Sequence, residues 1–257
     1  MRRSILFVFL PVLLSVSSAH AADGDITVVS ALDFAFKDMT LDPGGGTKFN
    51  TTLTTLNPGV AIAYGHIYTN ISFDKSIDSA SATQVDNGSP SMLTMSRSDV
   101  VLTMGYRALD SVSLFAGWLS GEIGAYIAGE RNTGGGNFAF FAQDVSYTEK
   151  GPFAGVALSH SFADKGSVSL TVAYAKLTGE LTQTRYIGGL SPGVTHDVTA
   201  GDVNGLSYGL VWTGPLNGSM NYRLGAKSTR YEGDATGSQP GITEHYTSFF
   251  FGLTNTF

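Results

Sequence analysis

Five segments of the chain share one pattern: an apolar residue at every second position, then a bulky or aromatic residue, then a short turn or the last residue of the sequence. They are residues 60–64, 100–106, 156–162, 206–212 and 249–257. Alternate side chains of a β-strand point to the same face, so each segment predicts a strand with one apolar face. An apolar stripe that ends in an aromatic residue is typical of a membrane-spanning strand, because aromatic rings favour the boundary between hydrocarbon and headgroups.

The spacing of the segments predicts how the strands connect. Each of the first four is followed by a short turn and a second alternating run, which begins near Ile67, Val112, Val168 or Met220. The other connections, residues 38–52, 78–93, 119–145, 177–203 and 231–243, are predicted to be long loops. With a first strand at residues 32–36 the count is ten, although eight or twelve strands also fit. The predicted fold class is all-β, an up-and-down antiparallel transmembrane β-barrel with short periplasmic turns and longer external loops.

The opposite faces of the strands are small or polar, which inverts the pattern of a soluble barrel. A secreted β-sandwich could bury the same apolar stripes, but it does not explain why the aromatics gather at the turn ends. The predicted lumen-facing charges are Asp33, Lys37, Arg97, Asp99, Arg223 and Lys227. The predicted membrane-interface aromatics are Tyr64, Tyr106, Phe162, Trp212 and Phe257. The charges fit either a salt-bridge network that fills a narrow barrel or the lining of a small polar channel.

The first 21 residues have the pattern of a signal peptide. Arg2 and Arg3 precede an apolar run from Ile5 to Val16, and Ala19-His20-Ala21 fits a cleavage site. The run is shorter than the roughly 20 residues that a membrane-spanning helix needs. We therefore expect residues 22–257 to form the barrel domain in the bacterial outer membrane. That segment has 13 basic and 21 acidic side chains, a formal charge of −8, which argues against nucleic-acid binding.

The leader, the meander of strands and the final Phe257 resemble the bacterial outer-membrane β-barrel superfamily. Gly105-Tyr106-Arg107 and Gly151 to Gly155 are also similar to small uncharacterised proteobacterial outer-membrane barrels. The resemblance covers nearly all of residues 22–257 and implies that the barrel-assembly machinery recognises the last strand. Gly252 and Phe257 match the expected terminal pattern, whereas Asn255 replaces its internal aromatic residue.

Catalytic residues were sought because outer-membrane barrels include proteases and lipid A deacylases. The candidates are the adjacent pairs His196-Asp197, Glu244-His245 and His160-Ser161. Adjacent strand residues point to opposite faces, so no pair is a preformed couple. We expect no enzyme activity, no cofactor and no metal site, since the histidines are scattered.

The connection at residues 121–142 is unusually apolar. It could cap the barrel, extend the strands beyond the membrane, or line an entry for an apolar ligand. The favoured function is a narrow channel or a small-solute binding or transport barrel. The alternative is a surface-interaction, adhesin-type or purely structural envelope barrel. Expected partners are outer-membrane lipids, the assembly machinery and small solutes, and the protein is expected to be a monomer.

Overall fold

The computed structural model describes residues 26–42, 49–77, 80–86, 89–134, 137–188, 193–234 and 241–257. The predicted signal peptide lies outside these residues. The strands are β1 (Ile26–Asp42), β2 (Phe49–Tyr64), β3 (Ile67–Ser76), β4 (Ala80–Asp86), β5 (Ser89–Leu109), β6 (Val112–Gly134), β7 (Asn137–Ser161), β8 (Ser167–Ile187), β9 (Gly193–Asn217), β10 (Met220–Gly233) and β11 (Thr243–Thr256). A short 3-10 helix, Ala163–Lys165, joins β7 to β8. Among the described residues, no helix is long and apolar enough to cross a membrane.

The sheet closes on itself, which confirms the predicted antiparallel barrel. Apart from β3 and β4, which do not pair with each other, each strand pairs with its sequence neighbours; β1 pairs with β11, and β3 pairs with β5. The short strand β4 pairs with β5 beyond the end of β3, so β3 and β4 occupy the same place beside β5. The ring therefore has ten strand positions, as the spacing of the segments predicts. Among the described strands, closure of the barrel leaves no long edge whose backbone N–H and C=O groups lack a partner. Such an edge would be costly in hydrocarbon, where no water is present to bond these groups.

Short turns connect the strands at one end of the barrel. Tyr64 pairs directly with Ile67, and Gly65 has a φ of 56°. This left-handed conformation favours glycine in a two-residue hairpin. Phe257 lies at the same end, where its backbone exchanges hydrogen bonds with Val28. We call this the periplasmic end, by the asymmetry of outer-membrane barrels.

An apolar belt surrounds the periplasmic half of the barrel. Its outward residues include Phe36, Leu102, Leu210 and Phe251, each about half exposed at 50–53%. Surface of this kind is costly in water and is stable against acyl chains. At the upper edge of the belt the outward residues become polar or charged. This polar ring comprises Asp38, Lys75, Ser98, Ser120, Lys150, Lys176, Asn204, Ser228 and Thr247.

Beyond the polar ring the two faces of the strands exchange character. We call this part of the barrel the extension. In β6 the inward residues Ile123 and Ile127 are buried, whereas Glu122 and Glu130 are exposed. The buried side chains of the extension and of the ring level form one cluster, which we call the apolar layer. Its members are Met39, Leu41, Phe49, Leu53, Leu93, Met95, Val101, Leu119, Ile123, Ala125, Ile127, Val145, Tyr147, Ala175, Leu177, Leu181, Val203, Tyr231 and Tyr246.

The long external loops predicted from the sequence are mostly strand in the described residues. Strand β6 has 23 residues and β7 has 25. At 3.3 Å per residue and a tilt near 45°, a 25-residue strand rises about 58 Å, roughly twice the hydrocarbon thickness. The prediction of long loops was wrong because it recognised strands only by apolar residues on the outer face. In the extension, which is in water, they occupy the inner face.

Candidate functional site in the barrel interior

The structure places all six predicted lumen charges on the inner face of the barrel. Asp33, Lys37, Arg97, Asp99 and Arg223 are each at most 2% exposed, and Lys227 is partly buried. Three further buried acids, Asp74, Glu149 and Glu244, join them. A charge removed from water must be paired or solvated. The contacts below show that most of these groups are paired.

Asp33 and Arg223 form an ion pair near the periplasmic end. Arg223 Nη1 donates to Asp33 Oδ2 at 2.9 Å, although the two residues lie on strands that are not neighbours. Between them Gly252 of β11 is in register with both. A Cβ on Gly252 would collide with Asp33 Oδ1. Because Gly252 has no side chain, the Asp33 and Arg223 side chains can meet across the intervening strand β11.

Lys37 and Asp74 form a second buried ion pair near the level of the polar ring. The Asn57 side chain, with its amide nitrogen turned toward Asp74, donates to both carboxylate oxygens at 3.0 Å each. These three residues come from β1, β2 and β3. Asp74 is thus engaged by a lysine and an amide, which offsets part of the cost of burying its charge.

Arg97 is the centre of the third group. Its Nε lies 2.5 Å from Asp99 Oδ2 and its Nη2 lies 2.9 Å from Glu149 Oε1, while Nη1 donates to Glu244 Oε1. Gly121 of β6 stands in register between Asp99 and Glu149, and a Cβ there would collide with Asp99. The five donors of a guanidinium can serve three carboxylates at once, which an ammonium group could not do with the same geometry.

The ring of Tyr246 lies close to Lys37, Lys227 and Arg97. Its centroid is 5.3 Å from Lys37 Nζ, 5.0 Å from Arg97 Cζ and 5.8 Å from Lys227 Nζ. These distances are within the range of cation–π attraction. The Tyr246 ring therefore contributes to stabilising three cations that are buried or partly buried.

A cavity of about 80 Å³ lies in the middle of the barrel. Its charged wall consists of Lys37, Asp74 and Lys227, and its apolar wall includes Phe115, Phe153 and Phe250. The hydroxyl groups of Thr171, Ser207 and Ser248 complete the lining. A cavity of this volume holds several water molecules or a small solute, because one water molecule needs about 10–15 Å³ of cavity volume.

Below the cavity the inner face of β6 to β9 carries small side chains. Ser113, Ala157, Ser159, Ala173 and Ser207 are all partly exposed to solvent although they face inward. On the opposite wall Asp33, Ala35 and Arg223 are buried. Ser169, Thr171 and Thr213 on the inner face of β8 and β9 are buried as well, so partly exposed and filled positions alternate along this wall. At the extracellular end the apolar layer closes the lumen.

The five predicted interface aromatics lie at the periplasmic ends of their strands. Tyr64, Tyr106, Phe162 and Phe257 are 43–72% exposed, and Trp212 is partly buried. Trp212 Nε1 donates to the Tyr222 hydroxyl at 3.1 Å, and the Phe162 and Trp212 rings are 5.6 Å apart. Their exposed positions suit a headgroup boundary.

The adjacent pairs considered for catalysis do not form couples. Glu244 is buried against Arg97, whereas His245 is exposed and contacts Ser228 Oγ at 3.3 Å. His196 is exposed and lies 3.0 Å from Thr184 Oγ1, and His160 packs on the Phe162 ring. Among the described residues no group of three or more His, Cys, Asp or Glu side chains is arranged to hold a metal ion.

The apolar segment 121–142 extends the strands, one of the alternatives left open by the sequence. Ile123 and Ile127 belong to the apolar layer, and Phe141 packs against it. Tyr126 and Phe140 face outward and are 39% and 56% exposed. The segment thus supplies core to the extension.

The predicted set of interior charges did not include Asp74, Glu149 and Glu244. Asp74 shares the parity of Asn70 and Ser72 in β3, and that polar alternation was a usable signal. Glu149 and Glu244 lay in or beside segments taken as loops. No spacing along the chain could have brought them to Arg97, since they are 52 and 147 residues away from it.

No protein-family model matches the sequence, and no curated protein matches it. Among solved structures, the outer membrane protease OmpT of Escherichia coli superposes with a TM-score of 0.69 at 11% identity, covering 92% of this chain and 98% of that one. The translocator domain of the autotransporter NalP from Neisseria meningitidis gives 0.49 at 14% identity, covering 92% and 90%. The toluene transporter TodX of Pseudomonas putida gives 0.44 at 9% identity, covering 92% and 90%. At these identities the first likeness shows the fold and nothing finer.

The expectation that the chain is not an enzyme is corrected by this finding. The fold that it shares at a TM-score of 0.69 is carried by a protease, so the barrel itself does not exclude catalysis. The expectation rested on adjacent pairs within one strand. In the folded barrel, groups as distant in sequence as Arg97 and Glu244 meet inside the lumen. The likeness assigns no reaction to this chain.

Proposed function

Because this chain has the fold of a bacterial outer-membrane β-barrel protein, we propose that it admits small solutes to its lumen from the periplasmic side and passes them only in restricted fashion. The observation that supports this proposal is the set of small, partly exposed side chains on the inner face of β6 to β9. Ala173 and Ser207 are partly exposed to solvent, and both also line the central cavity. Small side chains at these positions leave space next to the cavity that larger side chains would fill.

The apolar layer limits passage beyond the cavity. Leu53, Leu93, Met95 and Leu177 in this layer are at most 2% exposed. Interiors packed at this density contain few voids as large as a water molecule. Solutes would therefore cross only when the side chains of the layer rearrange, and openings should be rare and small.

Conductance in planar bilayers tests the proposal. Wild-type protein should give infrequent, small openings. The double variant Leu53→Ala/Leu177→Ala removes volume from the layer and should raise the open fraction at least ten-fold. The matched control is Leu102→Ala/Leu170→Ala, which removes the same atoms from the lipid face and should behave as wild type. If the wild type and the layer variant are both silent while folded, the proposal is wrong.

A second candidate is a surface-interaction role, which the outer face of the extension favours. Phe140, Tyr186 and Val194 are 43–65% exposed there, and Tyr186 pairs with Val194. Exposed apolar groups above the membrane suit contact with another surface. Cells that produce Tyr186→Ser/Val194→Ser protein should then aggregate less than cells with wild-type protein. Equal aggregation at equal surface levels would rule this role out.

A further inference from the structure

We propose that the central cavity is a binding site for a small organic carboxylate, with Lys227 as the group that receives its charge. This inference rests on the proposed function, since the solute must reach the cavity through the lumen. It names the chemical class of solute that the site takes.

Lys227 is placed to contact a ligand. In β10 it is in register with Gly209 on one side and Ser248 on the other, so neither neighbouring strand puts a large side chain beside it. Its ammonium group makes no hydrogen bond or ion pair with any side chain in the described part of the chain. Lys227 Nζ lies 5.8 Å from the centroid of the Tyr246 ring. A partly buried ammonium group with this surrounding can gain an anionic partner without losing one.

The charges on the cavity wall favour an anion. Lys37 and Lys227 are positive, and among the described residues Asp74 is the one acid that lines the cavity. Asp74 is already engaged by Lys37 and by the Asn57 amide. One positive charge therefore remains in excess at the wall. A charge-assisted bond from an ammonium group to a carboxylate is about twice as strong as a neutral hydrogen bond.

The Arg97 group sets a limit on the affinity. It holds three carboxylates against one guanidinium, and Arg97 Cζ lies 5.0 Å from the centroid of the same Tyr246 ring that the lysines contact. The excess negative charge of this group repels a second anion nearby. We therefore expect weak binding, with a Kd on the order of 1 mM, equivalent to about −4 kcal/mol.

Size and lining define the remainder of the ligand. An engineered apolar cavity of about 150 Å³ accepts benzene, whereas this cavity measures about 80 Å³. The apolar wall of Phe115, Phe153 and Phe250 would contact a short hydrocarbon body, and the Thr171, Ser207 and Ser248 hydroxyls lie within the same lining. A carboxylate of about two to four carbon atoms fits both the volume and the mixed wall.

Calorimetric titration of the refolded full chain with sodium propionate tests the site, with sodium chloride at equal ionic strength as the competing anion. Propionate should bind saturably, and chloride should bind at least ten-fold more weakly. Lys227→Met should weaken propionate binding at least ten-fold. Lys176→Met removes an exposed ammonium on the outer face and should leave binding unchanged. Ala173→Leu keeps Lys227 but fills the cavity, and it should also abolish binding.

The outcomes separate this inference from the proposed function. If propionate does not bind while the layer variant conducts in bilayers, the carboxylate site is wrong and the proposed function stands. Equal binding of chloride would show a simple halide site, which also overturns the inference. So would a folded Lys227→Met protein that binds like wild type. Binding that persists in a barrel whose wild type and layer variant are both silent would overturn the passage proposal alone.

Discussion

The belt region and the extension are built from the same strands with opposite facing. In β8, Leu170 points outward in the belt at 45% exposure, and Thr171 points inward. Seven residues later Leu177 points inward at 2% exposure, and Thr178 points outward. Seven is an odd number, so the apolar residue changes face while the alternation of the strand continues. The solvent around the barrel therefore decides which face is apolar: acyl chains outside the belt, water outside the extension.

The charges follow the same division. The interior of the belt and the ring level holds ion pairs such as Asp33–Arg223, whose side chains are fully buried. The outer face of the extension carries Arg230–Glu232, whose side chains are 64% and 56% exposed at 2.5 Å separation. Removing one partner of a buried pair lowers the free energy of unfolding more than removing one partner of an exposed pair, because the remaining buried charge cannot be solvated. The two settings should therefore give very different mutational effects.

The largest effect should come from a charge placed in the apolar layer. Leu177→Arg buries an unpaired guanidinium in a packed cluster and should lower the free energy of unfolding by about 4–5 kcal/mol. Thr178→Arg, one residue later on the outer face, should change it by less than about 0.5 kcal/mol. Urea titration of the protein refolded in phospholipid vesicles measures both. Similar losses for the two variants would show that the extension does not have a soluble-type core.

Removal of Arg97 comes next. Arg97→Met leaves Asp99, Glu149 and Glu244 without their common partner and should cost about 3–5 kcal/mol. The double variant Arg97→Met/Glu149→Gln removes one of the repelling acids and should recover part of this loss. The same titration gives both values. A loss that the second substitution does not reduce would mean that the acids do not act as a group around Arg97.

The lipid face should respond somewhat less. Leu170→Arg places a charge against acyl chains and should cost about 2–4 kcal/mol. Thr171→Arg points into the interior, where Thr171 lines the central cavity, and should cost less. In this pair the outward-facing position is the more sensitive one, whereas at positions 177 and 178 it is the inward-facing one, so the four variants together locate the change of facing in one strand. Equal values for Leu170→Arg and Thr171→Arg would show that the facing in the belt is wrong.

The smallest effect belongs to the exposed ion pair. Glu232→Gln should change the free energy of unfolding by less than about 1 kcal/mol, since exposed pairs gain little over solvated charges. Raising the salt concentration should reduce even that difference. Asp33→Asn is the buried counterpart and should cost several times more. Comparable losses for the two substitutions would contradict the role assigned to burial.

Much of the belt could be predicted from the sequence. Stripes such as Leu206-Tyr208-Leu210-Trp212 have an apolar outer face and a polar inner one, and turn residues such as Gly65 mark where strands reverse. These are local signals, carried within about ten residues. The extension escaped prediction because its alternation is equally regular but its apolar face is the inner one. Without knowing where the membrane ends, residues 119–134 do not show which solvent they face.

The interior site was predictable only as a set of single residues. The alternation of β1 and β5 places Lys37 and Asp99 on the inner face. Which residues they pair with depends on how the other strands are arranged and staggered around the barrel. Gly252 illustrates the limit: in the sequence it matches a terminal assembly pattern. In the barrel it is also the gap through which Asp33 reaches Arg223, 190 residues away.

The sequence by itself determined the belt portions of the strands, their short turns and the apolar belt, because each depends on neighbours along the chain and on the period of two. Ten strands was one of the counts that the sequence allowed, and the closed ring fixed it. Tertiary structure alone decided which charges meet, where the cavity lies and what closes the lumen. Those features depend on the stagger of strands around the ring and on the level at which lipid gives way to water. Neither quantity is encoded in any single segment.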